Sequence, residues 1–431
     1  MTPADFPSDR RRFLVGAAAV VASLEVGCSE QKQVVTPAAQ SRQNVPLRVL
    51  LVGETDDENA ISRGWQAVSE QELQIDVLPL DRADSSGIGD ALLARSKKAD
   101  VAIYPLLLVG EAARNDAVVE MTADEVKRIE LEVGPLFPTA RNGGARYGGT
   151  TYALPLGCAL PAVVAQTKVD PLESWEDYDQ LVETEWARSA AEPTAAGWAG
   201  MMFLWRCSGI KNWLFERKSL KPLVNTEPYV TSLELMLRTN ERYAKKDQTP
   251  DQIWALVGEG ELAGGIGFPA RRSLAKSNAQ VFSLPGVIEL SRIVLDPFSP
   301  VVSLSASCRQ TTASKRFIQW LCGGEGSRLV RGQVAGMTDL RGVASYSGAS
   351  SPYDEWLAEQ LQAPLTAPCP QLNGAPDYLV ALDENVRRAL NGEVTAQKAM
   401  DEVAEQWADL TSAMGRGKQM RAWRMAQGLR A

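Results

Sequence analysis

The sequence predicts an α/β protein built as two lobes, and three observations carry that expectation. Strand, helix, strand, helix and strand follow one another between residues 47 and 105, the opening of a doubly wound, mostly parallel sheet flanked by helices. Extended apolar segments recur at 152–165 and 301–307, each interrupting helical sequence. The chain has 431 residues, 45% of them hydrophobic, which is more than a single core usually holds.

At the start of the chain, Asp9-Arg10-Arg11-Arg12-Phe13-Leu14 is followed by an apolar run and then Val26-Gly27-Cys28. Residues 1–27 therefore read as an export signal: a basic region, an apolar stretch of roughly a dozen residues and a small residue before a cleavage point, too short to span a bilayer. Arg10 and Arg11, with Phe13 and Leu14 just beyond, resemble the twin-arginine signal, whose translocon carries folded proteins. Cys28 reads as a lipoprotein acceptor, although Glu25 stands where such signals carry an apolar residue. The alternative is cleavage nearby and a soluble periplasmic protein. Residues 28–45, rich in Gln, Ser, Thr and Ala, are too poor in large apolar groups to fold and read as a flexible tether.

Removing 1–27 deletes Arg10, Arg11 and Arg12 together with Asp5, Asp9 and Glu25, so the formal charge stays at −8. That charge excludes a nucleic-acid partner. The chain has no histidine, which excludes serine–histidine and cysteine–histidine hydrolases and removes the commonest metal ligand. The cysteines at 158, 207, 308, 322 and 369 include no C-x-x-C pair, so neither metal nor cofactor is expected. They are odd in number, so at least one is expected to be free, buried or paired between chains.

Leu47 to Val52 is a buried-strand run ending at Gly53, and the acidic loop Glu54 to Glu58 opens a helix on which Ile61, Trp65 and Val68 recur. A second strand alternates through Leu73, Ile75 and Val77, a helix covers 88–96, and a third strand covers 100–104. Ligands of such sheets bind beyond the carboxyl ends of the strands, which points at 53–58 and 104–108. The extended segment after residue 150, with Pro155 and Pro161 against one continuous helix, is the first crossing between lobes. Residues 170–300 carry two long helical patterns, a Trp- and Met-rich stretch at 198–213 and a Gly-rich strand at 262–269. After the second extended segment, Ala313, Phe317, Trp320 and Leu321 share a helical face. A Ser-, Pro- and Gly-rich loop follows Tyr346. Two closing helices then bury Leu379, Leu382, Val386 and Leu390, and Ala399, Val403, Trp407 and Leu410.

In this order the pieces resemble the extracellular solute-binding proteins of family 1, the maltose-binding-protein-like class that serves ABC importers. Tyr152 to Gly157 resembles the segment where that family's chain first passes between lobes, and Gly258 to Pro269 its Gly-rich strand. Ser305 to Arg331 resembles its hinge strand and following helix, and Leu390 to Met400 its closing helix pair. The resemblance implies the type II periplasmic-binding-protein fold with three interlobe crossings. The N-terminal lobe would take 46–155 and 304–345, the C-terminal lobe 156–303 and 346–412, and a basic tail 413–431. It also implies no covalent chemistry: a monomer would capture a small solute, a sugar or acidic sugar, for the permease subunits of an ABC importer. Its place would be the periplasm or cell envelope, anchored to a membrane through a lipid on Cys28.

The same resemblance nominates contact residues. Tyr104 and Trp198 stand where relatives offer aromatic rings, with Tyr152 and Phe268 in the matching segments; the bland alternatives are a core cap for Tyr104 and a buried anchor for Trp198. Trp65 and Trp205 lie on apolar helical faces and belong to the core. Glu54, Thr55 and Asp56 either accept hydroxyl hydrogen bonds or cap a helix near its positive dipole end. Arg271 and Arg272 either grip an acidic sugar bidentately or lie in the first turn of a surface helix. Leu106-Leu107-Leu108 departs from the polar contacts of maltose-type members and allows a more apolar ligand, a partner-protein surface or a lobe that has lost binding. The basic tail reads as a frayed, solvated terminus. Two other functions compete: an envelope sensor or scaffold lipoprotein using the same fold, and a carboxylate-based glycosidase, for which 54–58 is the only local acid cluster.

Overall fold

The structure, a computed structural model, describes residues 45–143, 145–275, 277–286, 293–323, 327–341, 351–362, 366–367 and 369–428. The export signal with Arg10, Arg11, Phe13 and Leu14, the lipidation position Cys28, the tether through residue 44 and the loop at 342–350 lie outside the described residues.

Side chains of β1 (Leu47–Gly53) alternate between two apolar layers. Leu47, Val49 and Leu51 join one core with Trp65, Phe317 and Trp320, while Leu50 and Val52 join the other. That period-two burial on both faces is why the run is apolar at every position but Arg48, whose guanidinium pairs with Asp100. After β1 come α1 (Thr55–Gln66), β2 (Leu73–Pro79), α2 (Ile88–Ser96) and β3 (Val101–Pro105). The chain continues through α3 (Val109–Arg114), α4 (Ala123–Val133), α5 (Pro138–Asn142), the hairpin β4 (Arg146–Tyr147) and β5 (Thr150–Thr151), and β6 (Leu154–Pro155).

It then passes to a second sheet: β7 (Ala162–Ala165), α6 (Trp175–Thr184), β8 (Ala190–Ala191), α7 (Ala199–Arg206), α8 (Glu227–Glu241), α9 (Pro250–Gly258), β9 (Gly264–Gly267) and β10 (Gln280–Phe282). After the short β11 (Ile293–Val294) it returns to the first sheet with β12 (Pro300–Leu304), α10 (Thr311–Leu321) and α11 (Arg328–Gln333). A third passage leads to α12 (Pro352–Gln360), β13 (Thr366–Ala367), α13 (Ala375–Leu390), α14 (Ala396–Ala413) and α15 (Arg416–Ala426).

The first sheet has the order β2-β1-β3-β12-β6 and the second β10-β7-β9-β8. The fold is the expected α/β arrangement of two sheets flanked by helices, with one correction to strand direction. Only β2, β1 and β3 form a parallel set; β12 runs antiparallel to both β3 and β6. In the second sheet β7 is antiparallel to β9 and β10, and only β8 with β9 is parallel. The β12 strand enters the first sheet from the other lobe, so no crossover helix sets its direction.

Four further sequence expectations are corrected. Glu54 is the N-cap of α1 and Asp56 to Glu58 are its first turn, so the acids cap a helix and do not form a loop. Val68 falls beyond that helix and is exposed. The described residues between 170 and 300 form four α-helices where two long patterns were expected; every residue of α7 is buried, so it carries no amphipathic period. The tail is not frayed: Gln419, Ala422 and Trp423 of α15 are buried at helical spacing, Trp423 meets Phe215 edge-on, and Gln419 bonds Asn373 and Tyr378. The basic residues of this segment alternate with that inner stripe, so charge density hides an amphipathic helix.

Candidate functional site

Three chain passages between the sheets lie side by side. Leu156 N–H donates to Pro300 O at 2.9 Å, Cys158 N–H to Thr338 Oγ1 at 2.9 Å, and Gly336 N–H to Ala270 O at 2.9 Å. Gly157 permits this approach, since a Cβ there would fall 1.8 Å from Gly336 O. The strand ends of both sheets therefore converge here.

Beyond β9, Arg271 ties the second sheet to the start of α1. Its Nη2 donates to Glu54 Oε2 at 2.7 Å and Asp57 Oδ1 at 3.2 Å, and its Nε to Gln333 O at 2.7 Å. Asp57 also accepts from Ala335 N–H at 3.1 Å. Burial pushes the Asp57 carboxyl above its ordinary value, against the pull of Ala335 N–H and Arg271. Arg272 is likewise occupied, by Asp339 and by Asp354 at 3.1 Å.

Trp198 precedes α7 and is aimed by its neighbours. Gly197 stands at φ +80°, in the left-handed region that favours glycine. Asp383 of α13 accepts from Gly197 N–H at 2.8 Å and Gly200 N–H at 2.9 Å, so one carboxylate fixes the turn and caps the helix. Phe268 meets the Trp198 ring edge-on at 5.8 Å, and Trp205 lies at 6.3 Å behind it.

The open face of Trp198 is covered by Arg82, from the loop after β2. Its guanidinium lies 3.8 Å from the Trp198 ring centroid and 4.7 Å from that of Phe298. The same guanidinium grips Asp296 bidentately, Nη1 to Oδ1 at 2.8 Å and Nη2 to Oδ2 at 2.5 Å. The Asp296 side chain is only 5% exposed, and Phe298 N–H also donates to it at 3.1 Å. Two rings and a buried carboxylate thus enclose a planar cation. On the other side of 295–298 the alternation reverses. Leu295 and Pro297 face a cavity of about 480 Å³ that Leu106, Leu107, Asn142 and Gln371 also line, a size within the ~300–1,000 Å³ of small-molecule sites.

The sequence candidates divide accordingly. Trp198 and Phe268 are brought together at the covered face. Glu54 is used as a cap and ion-pair partner, whereas Thr55 and Asp56 sit exposed in the first turn of α1. Tyr104 is corrected: it is fully buried, with its hydroxyl bonded to Ser303 Oγ at 2.8 Å, because its place on β3 turns it into the core. Tyr152 is half-buried against Ala145, and its hydroxyl is raised by burial and then by Glu120 and Asp116, away from the Trp198 group. Arg271 and Arg272 are not offered to a ligand, because acids of this chain occupy them. Sequence reasoning missed Arg82, Asp296, Phe298 and Asp383. The strand-end rule applied to β2 as well as β1 and β3 points at Arg82; Asp296, in a crossing segment, carries no comparable signal.

The five cysteines among the described residues are all free, and all but Cys308 are buried. Among the described residues no group of His, Cys, Asp or Glu is placed to hold a metal, and no helix is long and apolar enough to cross a membrane.

No family model and no curated protein matches the chain. Solved structures do. T. maritima MalE3 with maltose bound has a TM-score of 0.66 at 16% identity, over 85% of this chain and 99% of that one. An ABC transporter solute-binding protein from Agrobacterium radiobacter in complex with ribitol has a TM-score of 0.70 at 14% identity, over 85% and 99%. The GacH receptor of Streptomyces glaucescens has a TM-score of 0.63 at 13% identity, over 86% and 99%. At these identities the likeness is one of fold: the chain has the two-lobe architecture of periplasmic binding proteins.

Proposed function

We propose that the chain is an exported solute-binding protein, not an enzyme, that captures a small polyhydroxylated solute beside Trp198 and delivers it to the permease subunits of an ABC importer. The observation that carries this reading is the pairing of an aromatic face, Trp198, with a buried carboxylate, Asp296, between the two sheets: where the solute takes the place of Arg82, a ring stacks on the first and hydroxyls donate to the second. Structural neighbours with maltose and ribitol bound support the same class. An acidic sugar loses its support, since Arg271 and Arg272 are spent on Glu54, Asp57, Asp339 and Asp354. A glycosidase loses support too: Glu54 and Asp57 of the acid cluster are clamped by Arg271, where hydrolysis needs two carboxyls facing one bond.

In this reading residues 1–27 direct export, Cys28 carries the lipid, 28–45 are the tether, and the lobes take 46–155 with 304–345 and 156–303 with 346–412. Opening and closing about the three crossings couples capture to release. The test is mass spectrometry of small molecules released when the protein, purified under native conditions, is denatured. A polyhydroxylated compound at near-equal stoichiometry is the expected result; release of none, or of a strictly apolar or acidic compound, overturns it.

A second reading, an envelope sensor or scaffold that keeps the fold closed, is favoured by one observation. The apolar core that includes Leu50 and Tyr104 of the first sheet continues without a break into Val163 and Ile266 of the second, and a large apolar interface opposes lobe motion.

A further inference from the structure

We infer that the solute carries a cationic group, an amine or guanidine on a polyhydroxylated frame, and that this group takes the place now filled by the Arg82 side chain. The inference rests on the solute-binding reading and names the chemistry of that same site.

The enclosure is complete without Arg82. Trp198 and Phe298 present two faces, and Asp296 closes a third side, held in place by Phe298 N–H. Aromatic faces carry negative potential, so two of them beside a carboxylate attract a cation and repel an anion. Arg82 reaches this enclosure from the first sheet's β2 loop, whereas Trp198 belongs to the second sheet's side. When the lobes part, Arg82 leaves with its own lobe and the buried Asp296 loses its counter-charge. A hydroxyl restores a hydrogen bond to that carboxylate but not the charge balance; an ammonium or guanidinium restores both. A uronate would bring a carboxylate against Asp296, and Arg271 and Arg272 are held by Glu54, Asp57, Asp339 and Asp354. Arg82 therefore acts as an internal ligand that an incoming cation must outcompete, which lowers apparent affinity by the fraction of molecules in which it is withdrawn.

Four probes test this: glucosamine, glucose, glucuronate and agmatine, each titrated into the full chain with Trp fluorescence and melting temperature as readouts. Glucosamine is expected to bind at least about tenfold tighter than glucose, and Arg82→Ala to tighten glucosamine and agmatine at least about tenfold by removing the competitor. Asp296→Asn is expected to abolish the preference for glucosamine over glucose while circular dichroism stays unchanged. Glucose binding as tightly as glucosamine overturns the inference and leaves the solute-binding reading intact. Binding of agmatine to Arg82→Ala but not to the unaltered chain also overturns it, since Arg82 is then a fixed latch. Failure of glucosamine and agmatine with both chains, together with failure of glucose, counts against the inference and the reading alike.

Discussion

Gly197 lies so close to Arg82 that a Cβ on Gly197 would fall 2.7 Å from the Arg82 Cβ and 2.9 Å from Ala83 N. Backbone contact without an intervening side chain is what lets the Arg82 guanidinium reach 3.8 Å from the centroid of the next residue's ring. Gly197→Ala has to push this contact apart and also strain a φ of +80°, at a cost of roughly 1–3 kcal/mol. Chemical denaturation is expected to show that loss, and acrylamide to quench Trp fluorescence more readily; unchanged quenching would mean that the contact does not hold the face shut.

Asp383 orients the same turn from behind. Asp383→Ala leaves the N–H groups of Gly197 and Gly200 without their acceptor at a buried position, which costs about 1–3 kcal/mol. The expected companion effect is loss of solute affinity with no ligand contact removed. Full affinity in a destabilised Asp383→Ala protein would confine the residue to helix capping.

Glu125 gives a pH dependence of known sign. The hydrogen bond from Lys315, then those from Thr122, lower its carboxyl from 4.5 to about 2. A depressed folded-state value means stability that is fully present above 4.5 and lost as pH falls towards about 2. Both side chains are partly exposed, 50% and 25%, so the pair contributes at most about 1 kcal/mol. Lys315→Ala is expected to be less stable than the parent at neutral pH and to converge with it near pH 2; an equal gap at both ends would contradict the assignment.

Glu192 and Arg206 form an ion pair exposed to no more than 1% on either side chain, with Trp175 4.5 Å from the guanidinium. Burial raises the Glu192 carboxyl even against Arg206. Arg206→Met strands that acid and is expected to cost about 3–5 kcal/mol. Arg206→Met with Glu192→Gln is expected to recover much of it, as thermal unfolding would reveal; no recovery would place the loss in packing.

The strand run Leu47 to Val52 was legible because burial on both faces leaves it apolar at every position but Arg48, and α13 and α14 because one buried stripe repeats on each. Strand direction in the second sheet was not, since apolar composition is the same for parallel and antiparallel neighbours. The turn that carries Trp198 was legible through its small neighbours Gly197 and Gly200, whose N–H groups donate to Asp383. Arg82 and Asp296 are 214 positions apart in the chain, and nothing local in either segment records that they meet. The choice for Arg271 and Arg272 between ligand grips and the first turn of a surface helix missed their acidic partners, because Glu54 and Asp57 lie 217 and 214 positions from Arg271, and Asp339 and Asp354 lie 67 and 82 from Arg272.

The most direct test is a thermal-shift screen of the protein against neutral sugars, polyols, amino sugars and uronates, with Trp198→Ala run alongside. A ligand that binds only the folded state raises the melting temperature by mass action. The account predicts a rise with neutral sugars, polyols or amino sugars and its loss in Trp198→Ala. No rise with any class, or a rise undiminished in Trp198→Ala, would contradict it.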